Sequence, residues 1–280
     1  MAVLMVILRV LVVLILLYLF LIAPNVLHRK LKQKEWGGGV FAHRGLHDDN
    51  HRIPENSMTA FRLAVEKGYG IELDVHLTRD RQIVVHHENS LKRLCGEDKL
   101  ISETPMGELL GMRLIDTDER IPTLAEVLDL VRGQVPLIIE VKSDHPGNVA
   151  LAASLNTQMQ RYRGAWCVES FDPLMMRWFK KHAPSVVRGQ LAMDPKKKRA
   201  GKYDHVRQFF MAHLLSNFLS RPDFVSYGYK TDANFSYRLM RNLFRPQLVA
   251  WTVRSQEDFE KLRGQYDVQI FESFLPPTSM

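Results

Sequence analysis

Short apolar runs alternate along this chain with longer stretches in which apolar residues recur every three or four positions. Val40 to His43, Gly70 to Asp74, Leu137 to Val141, Trp166 to Ser170, Val186 to Gln190, Phe224 to Tyr227, Leu248 to Thr252 and Val268 to Phe271 read as eight strands. Thr59 to Lys67, Thr123 to Val131, Asn148 to Tyr162, Pro173 to His182, Val206 to Leu219, Asn234 to Leu243 and Gln256 to Arg263 read as helices between them. Near-continuous apolar strands covered by helices predict a parallel sheet. Eight of them in one domain of this size predict an α/β fold of the closed (β/α)8 TIM-barrel type.

One run breaks the alternation. Ile83-Val84-Val85-His86-His87 follows Asp74 too soon for a parallel return, which needs a dozen or more residues, so it must come back as a hairpin inserted after the second strand. A two-residue tip at Asp80-Arg81 pairs Asp74 with His87 and puts Glu72, Asp74 and His76 on one face. His87 then returns beside the carboxylates while His86 points away. Leu91 to Arg120 reads as a further insertion over the mouth, before Thr123 caps the next helix.

The first apolar stretch is of another kind. Met1 to Ala23 is apolar except for Arg9 and is long enough for one transmembrane helix, with Arg9 snorkelling near an interface. A signal peptide would show a small-x-small cleavage site and a basic start, and neither is present. His28, Arg29, Lys30, Lys32 and Lys34 follow at once, so the positive-inside bias places this flank and the domain after it in the cytoplasm, at the cell membrane, with anionic headgroups within reach. The expected organisation is a transmembrane anchor over residues 1–24, a basic and Gly-rich juxtamembrane linker over 25–39 and one barrel domain over 40–280.

Composition narrows the function. The chain has 280 residues, 46% hydrophobic and 25% charged, with a formal charge of +7. Arg9, Arg29, Lys30, Lys32 and Lys34, less Glu35, account for four of those charges, so the domain is only mildly basic and no nucleic acid is expected as a partner. Cys95 and Cys167 lack metal-type spacing and read as buried thiols of a reducing compartment.

The chemistry gathers at strand ends, where such barrels carry their reacting groups. Glu72 and Asp74 leave the second strand and Glu140 the third, all aimed at one spot. Three carboxylates at close range raise one another's pKa values unless a counter-charge is present, and one divalent cation supplies it. Oxygen-only donors select a hard ion, magnesium or calcium, with manganese admissible. Solvation, or salt bridges to Arg44 and Lys142, is the competing reading of the same acids. Arg44 and Lys142 also suit a phosphate clamp, a guanidinium fork and an ammonium point charge. His43 and His87 then read as the acid and the base on opposite sides of a phosphorus, since imidazole exchanges a proton near neutral pH.

These residues resemble the glycerophosphodiester phosphodiesterase family, of the phosphatidylinositol-phospholipase-C-like barrels. His43-Arg44-Gly45, Pro54-Glu55-Asn56-Ser57, Glu72 to Thr78, Val84 to Leu91, Ile121 to Leu124, Leu137 to Lys142, Ser170 to Pro173 and Trp251-Thr252-Val253 stand in that family's order, from Val40 to about Phe271. The resemblance implies metal-dependent hydrolysis of glycerophosphodiesters to glycerol 3-phosphate and an alcohol. It implies His43 and His87 as the acid–base pair, Glu72, Asp74 and Glu140 as metal ligands, and Arg44 and Lys142 on the phosphate. Glu55 and Asn56 would order the first loop, and Trp251 would line the pocket against the glycerol or alcohol, with a core aromatic as its alternative.

Some positions depart from that pattern. Glu88 stands where aspartate is usual, Arg254 replaces an asparagine, and Phe271-Glu272 replaces threonine-aspartate. Arg254 reads either as a contact for an anionic leaving group or as a solvated side chain. Lys196 to Arg199 reads as a solvated loop, with anionic lipid as the minority reading. Phe209, Phe210, Leu214, Leu215, Phe218 and Leu219 read as core. Besides the diesterase, two functions fit the sequence. The anchor motivates a lysophospholipase D-type hydrolysis of single-chain lipids, and the clamp and metal alone would suffice for a non-catalytic membrane-bound sensor.

Overall fold

The computed structural model describes residues 1–25, 39–48, 50, 52–144, 147–194, 205–231 and 233–278. The basic residues of 28–34 and the run Lys196 to Arg199 lie outside the described residues, as does most of the linker expected over 25–39. The strands are β1 (Val40–His43), β2 (Gly70–Leu77), β3 (Ile83–Val85), β4 (Leu137–Val141), β5 (Trp166–Ser170), β6 (Arg188–Ala192), β7 (Phe224–Gly228), β8 (Gln247–Val253) and β9 (Val268–Phe271). Their order is β1-β9-β8-β7-β6-β5-β4-β2-β3, and β1 also pairs with β2. Every pairing except β2 with β3 is parallel, so eight strands close into a TIM barrel and β3 is the antiparallel extra.

The interior follows from period-two alternation. Phe41, Ile138, Cys167, Val187, Phe224, Val249, Val268 and Ile270 pack together in one buried cluster, a floor near the N-terminal ends of the strands. Two residues further along several of the same strands come His43, Glu140, Glu169, Trp251 and Glu272. The floor therefore excludes water beneath a layer of ionisable groups. Its rings need room from their neighbours: a Cβ on Gly70 would stand 2.6 Å from the Phe41 ring, and one on Gly189 would stand 2.1 Å from the Phe224 ring.

The second strand is long and the first is short, and this difference admits the hairpin. β1 ends at His43 because Arg44 and Gly45 turn to positive φ of 56° and 78°. Beyond Glu72, the β1 side of β2 is therefore open, and β3 fills it with Val75, His76 and Leu77 opposite Val85, Val84 and Ile83. The expected register is off by one residue. The tip is three residues, Arg79 to Arg81, with Thr78 N–H donating to Gln82 O at 2.9 Å and Arg81 in the left-handed region at φ 64°. Asp74 accordingly lies opposite His86, whose N–H donates to Asp74 O at 3.0 Å, rather than opposite His87.

The helices differ from expectation mainly in one place. Met58–Lys67, Leu124–Val131, Pro173–His182 and Phe235–Phe244 stand close to their predicted bounds, Ala150–Met159 is shorter, and β6 sits two residues later than expected. The predicted helix Val206 to Leu219 is two helices, His205–Ala212 and Asn217–Ser220, separated at Leu214 with φ 55°. Leu214 and Leu215 are core as expected, but Phe209 and Phe210 are exposed, because the break turns the first helix away from the barrel wall. Leu91 to Arg120 folds around its own cluster of Leu91, Leu94, Ile101, Leu109 and Leu114, joined by Val84 of the hairpin, and so buttresses the hairpin's flank.

Thr123 ties that insertion to the barrel. It caps Leu124–Val131 in a full capping box with Glu126 and bridges Val84. Thr123→Ala should lower stability by ~1 kcal/mol through loss of the cap, measured as a shifted urea midpoint with an unchanged slope.

Candidate active site at the barrel mouth

Glu72, Asp74 and Glu140 meet at the C-terminal end of the barrel because β2 and β4 align Asp74 with Glu140, and Glu72 lies one inward step below Asp74. All three are buried, and each offers an oxygen within 4.8 Å of the others. Burial, and then repulsion from Asp74, Glu140 and Glu169, pushes the Glu72 carboxyl well above its ordinary range. Burial also lifts Glu140, partly opposed by Lys142, and Glu169 is pushed up to about 8 by burial and by Glu140. Burial acts in the same direction on Asp74, but Lys142 and Arg44 outweigh it and hold that carboxyl well below the usual range. Three buried carboxylates with too little counter-charge form a donor set of hard oxygens, which fits a divalent cation.

The two cations expected to clamp phosphate lie on these acids. Lys142 Nζ stands 2.7 Å from Asp74 Oδ1 and 2.8 Å from Glu140 Oε2. Arg44 donates to Glu55 Oε1 at 2.8 Å, its Nε is 3.4 Å from Asp74 Oδ2, and its backbone N–H donates to Glu72 Oε2 at 3.1 Å. Both cations therefore pair with the acids expected to hold the metal, and they meet at Asp74. Asn56, at φ 56°, receives no side-chain partner on its buried Oδ1, while its Nδ2 donates to Asp74 Oδ2 at 2.9 Å and its backbone N–H to Arg44 O. Glu55 and Asn56 thus stitch the loop before Met58–Lys67 to Arg44 and Asp74.

Each histidine has a glutamate on its Nδ1. His43, the last residue of β1, hydrogen-bonds through Nδ1 to Glu272, and its Nε2 is 3.9 Å from Glu72 Oε2. Burial lowers the His43 pKa, partly offset by that hydrogen bond. Burial would raise Glu272, but His43 and His47 outweigh it and hold the carboxyl well below the ordinary range. His87 leaves the end of β3 with Nδ1 3.3 Å from Glu88 Oε1 and is about one-third exposed. Because it lies past the paired segment, His87 reaches the mouth from a loop and not from a ladder position. His86 turns its Nδ1 onto Glu88 O at 2.6 Å, and burial lowers its pKa to about 4.

Three groups escaped the sequence reading. Glu272 was noted only as a departure from a family pattern, yet it orients His43 and also pairs with Arg254, whose side chain remains more than half exposed. Arg93 donates to Glu55 Oε1 at 2.6 Å and to Glu88 Oε2 at 2.6 Å, locking the first loop to the hairpin exit. Its position two residues after Leu91, beside the His87-Glu88 pair, was the available signal. Glu169 faces the interior from β5 and could have been found by extending the alternation of Cys167. Trp251, near the end of β8, is half-buried with its ring edge-on to Phe171 at 5.7 Å and its buried indole nitrogen without a hydrogen-bond partner.

Comparison with known proteins places this geometry among relatives. The model of the glycerophosphoryl diester phosphodiesterase family matches residues 43–268. A glycerophosphodiester phosphodiesterase of Caldanaerobacter subterraneus is 34% identical over 165 residues, 54% of this chain and 65% of that protein. A human lysophospholipase D is 34% identical over 158 residues, 52% of this chain and 48% of that protein. The matches thus span about half to two thirds of these curated relatives' lengths. Among solved structures, an Oleispira antarctica phosphodiesterase in complex with the product sn-glycerol-3-phosphate aligns with a TM-score of 0.69 at 21% identity, covering 85% of this chain and 94% of that one. A Thermotoga maritima glycerophosphodiester phosphodiesterase aligns with a TM-score of 0.62 at 27% identity, covering 83% and 93%.

If the three acids hold a cation, magnesium, calcium or manganese at about a hundred times its Kd should stabilise the chain by ~2.7 kcal/mol. The expected thermal shift is absent in Asp74→Asn and Glu140→Gln. An unchanged melting temperature for the parent chain with all three ions would reject the site.

Proposed function

The chain belongs to the glycerophosphoryl diester phosphodiesterase family, and on that premise we propose that it hydrolyses glycerophosphodiesters to sn-glycerol 3-phosphate and an alcohol. The observation that carries this reading is a buried three-carboxylate cluster flanked by Arg44 and Lys142, with His43 hydrogen-bonded through Nδ1 to Glu272 and His87 with its Nδ1 3.3 Å from Glu88. Glu72, Asp74 and Glu140 would hold one divalent cation, magnesium or calcium with manganese admissible, which supplies charge neutralisation and Lewis-acid polarisation of a phosphoryl oxygen.

The chain's own residues do the rest. Glu272 keeps a proton on Nδ1 of His43, and Glu88, 3.3 Å from Nδ1 of His87, is placed to do the same there, which leaves each Nε2 to exchange a proton with substrate. One Nε2 takes a proton from the attacking water or hydroxyl as the new P–O bond forms. The other gives a proton to the leaving alkoxide as the ester P–O bond breaks. Arg44 and Lys142, already bordering the carboxylates, turn their remaining N–H groups to the phosphate oxygens and stabilise the charge that builds there. Arg93 and Asn56 hold the two loops that carry these groups, and Trp251 offers an apolar wall to the glycerol or alcohol portion.

A second reading, lysophospholipase D-type hydrolysis of single-chain lipids, is supported by the N-terminal helix and by the human relative named above. That helix, Ala2–Ile22, has a mean hydropathy of 3.1 and is the one candidate span among the described residues. It is built into the domain: Ile22 is fully buried and its carbonyl accepts from Asn217 Nδ2 at 2.9 Å. That packing supports reading the helix as an uncleaved single-pass anchor, with the basic flank keeping the domain cytoplasmic. Labelling of Glu35→Cys from outside intact cells would overturn that topology.

His43→Ala and His87→Ala should each lower kcat by ~10²–10⁴-fold, and Glu272→Gln by a smaller ~10–100-fold, in an assay for released glycerol 3-phosphate with chelation and metal re-addition as controls. Choline release from lysophosphatidylcholine without release from glycerophosphocholine would favour the second reading over the first. Binding of a glycerophosphodiester without metal-dependent turnover of either substrate would leave only a sensor.

A further inference from the structure

The N-terminal helix has a direction relative to the barrel mouth. Asn25 N–H donates to Pro222 O at 2.8 Å and Asn25 Nδ2 to Asp223 Oδ1 at 2.8 Å, just before β7 begins. Arg221 donates to Phe20 O at 3.0 Å and Ala23 O at 2.8 Å and lies 4.4 Å over the Phe20 ring. Tyr18 OH donates to Ser236 Oγ at 2.7 Å, and Ser236 lies past the C-terminal end of β7, in the first turn of Phe235–Phe244. From residue 25 back to residue 18, the chain has crossed from the N-terminal end of a barrel strand to its mouth end. Ala2 to Leu17 continue past that point, exposed and apolar except for Arg9.

The place where the helix leaves the barrel is ringed by apolar side chains that the fold does not cover. His213, at the end of His205–Ala212, shares Ser236 Oγ at 2.9 Å, and the Phe209 ring lies 4.3 Å from the His213 ring. Val206 is 62% exposed, Phe209 53%, Phe210 43% and Phe235 69%. These four stand on the two short segments that meet at Tyr18.

We propose that the barrel docks mouth-first on the lipid bilayer that its helix crosses, with Val206, Phe209, Phe210 and Phe235 immersed at the interface. The inference rests on the anchor reading above and adds an orientation to it. Length supports the bilayer as occupant. The sixteen residues beyond Tyr18 rise ~24 Å at 1.5 Å each, short of the ~30 Å hydrocarbon core. An apolar rim sinking ~5–10 Å into the headgroup boundary makes up the difference. Arg9 then lies within the span and extends its guanidinium toward the far headgroups. In this pose the site opens onto the leaflet surface, so a diester still held in the membrane by one acyl chain can present its headgroup without leaving it.

The test uses the full chain with Cys95→Ala, reconstituted in phosphatidylcholine bilayers containing lipids brominated in mid-chain, with an environment-sensitive fluorophore on Phe209→Cys, Phe235→Cys or Arg263→Cys. Arg263 ends Gln256–Leu262 on the opposite face, just before β9. The expected result is loss of most emission at 209 and 235 and none at 263, and Val206→Cys provides a further rim position if one variant fails to fold. Quenching at 263 but not at the rim, or at neither in a chain that pellets with vesicles, overturns the orientation alone. A chain that stays in the supernatant removes the anchor reading and the orientation together.

Discussion

Three buried carboxylates that cannot all stay ionised without counter-charge are the constraint on which the rest of this mouth depends. Glu72, Asp74 and Glu140 are brought together by strand pairing, and the barrel floor of Phe41, Ile138 and Phe224 keeps water from relieving their repulsion from below. Every cation within reach is drawn in: Lys142 bridges two of them, and Arg44 takes a side-chain and a backbone position. The result is a region of concentrated, imperfectly balanced charge, the kind of environment that receives a metal ion and a phosphate together.

That arrangement in turn sets the lengths of the surrounding elements. β1 stops at His43 so that Arg44 can turn its amide toward Glu72, and this early stop leaves the β2 edge open for β3. The hairpin then brings His87 and Glu88 to the mouth just past the end of β3. Arg93 closes the ring by holding Glu55 and Glu88 at once. Removing Lys142 or Arg44 would leave Asp74 buried with an unmatched charge, which costs more than the link itself contributes.

The same domain carries its apolar N-terminal helix as part of its surface. Asn217, Arg221 and Ser236 satisfy backbone and side-chain groups at the end of the N-terminal helix, so the helix and the barrel wall share an orientation. Phe209 and Phe210 make sense in that setting. Their helical spacing with Leu214 and Leu215 suggested one continuous buried face, but the turn at Leu214 divides the segment into a covered half and an uncovered one.

Much of this was legible in the sequence for a physical reason: strand and helix periodicities are local, and a parallel barrel places the residues at strand ends at one mouth whatever the details. Thus the barrel, the convergence of His43, Glu72, Asp74 and Glu140, and the apolar N-terminal helix could be read from spacing alone. What needed the tertiary structure was anything set by backbone sign or by pairs distant in sequence. Arg81 in the left-handed region shifted the hairpin register by one residue, and no periodicity signals that choice in a non-glycine. Glu272 meets His43 across 229 positions, and Tyr18 meets Ser236 across 218, because barrel closure and helix docking bring them together. The sequence by itself determined which chemical groups stand at the mouth; the folded chain decided which of them orient, neutralise and hold one another, because those relations exist only once strands and loops distant in sequence are brought side by side.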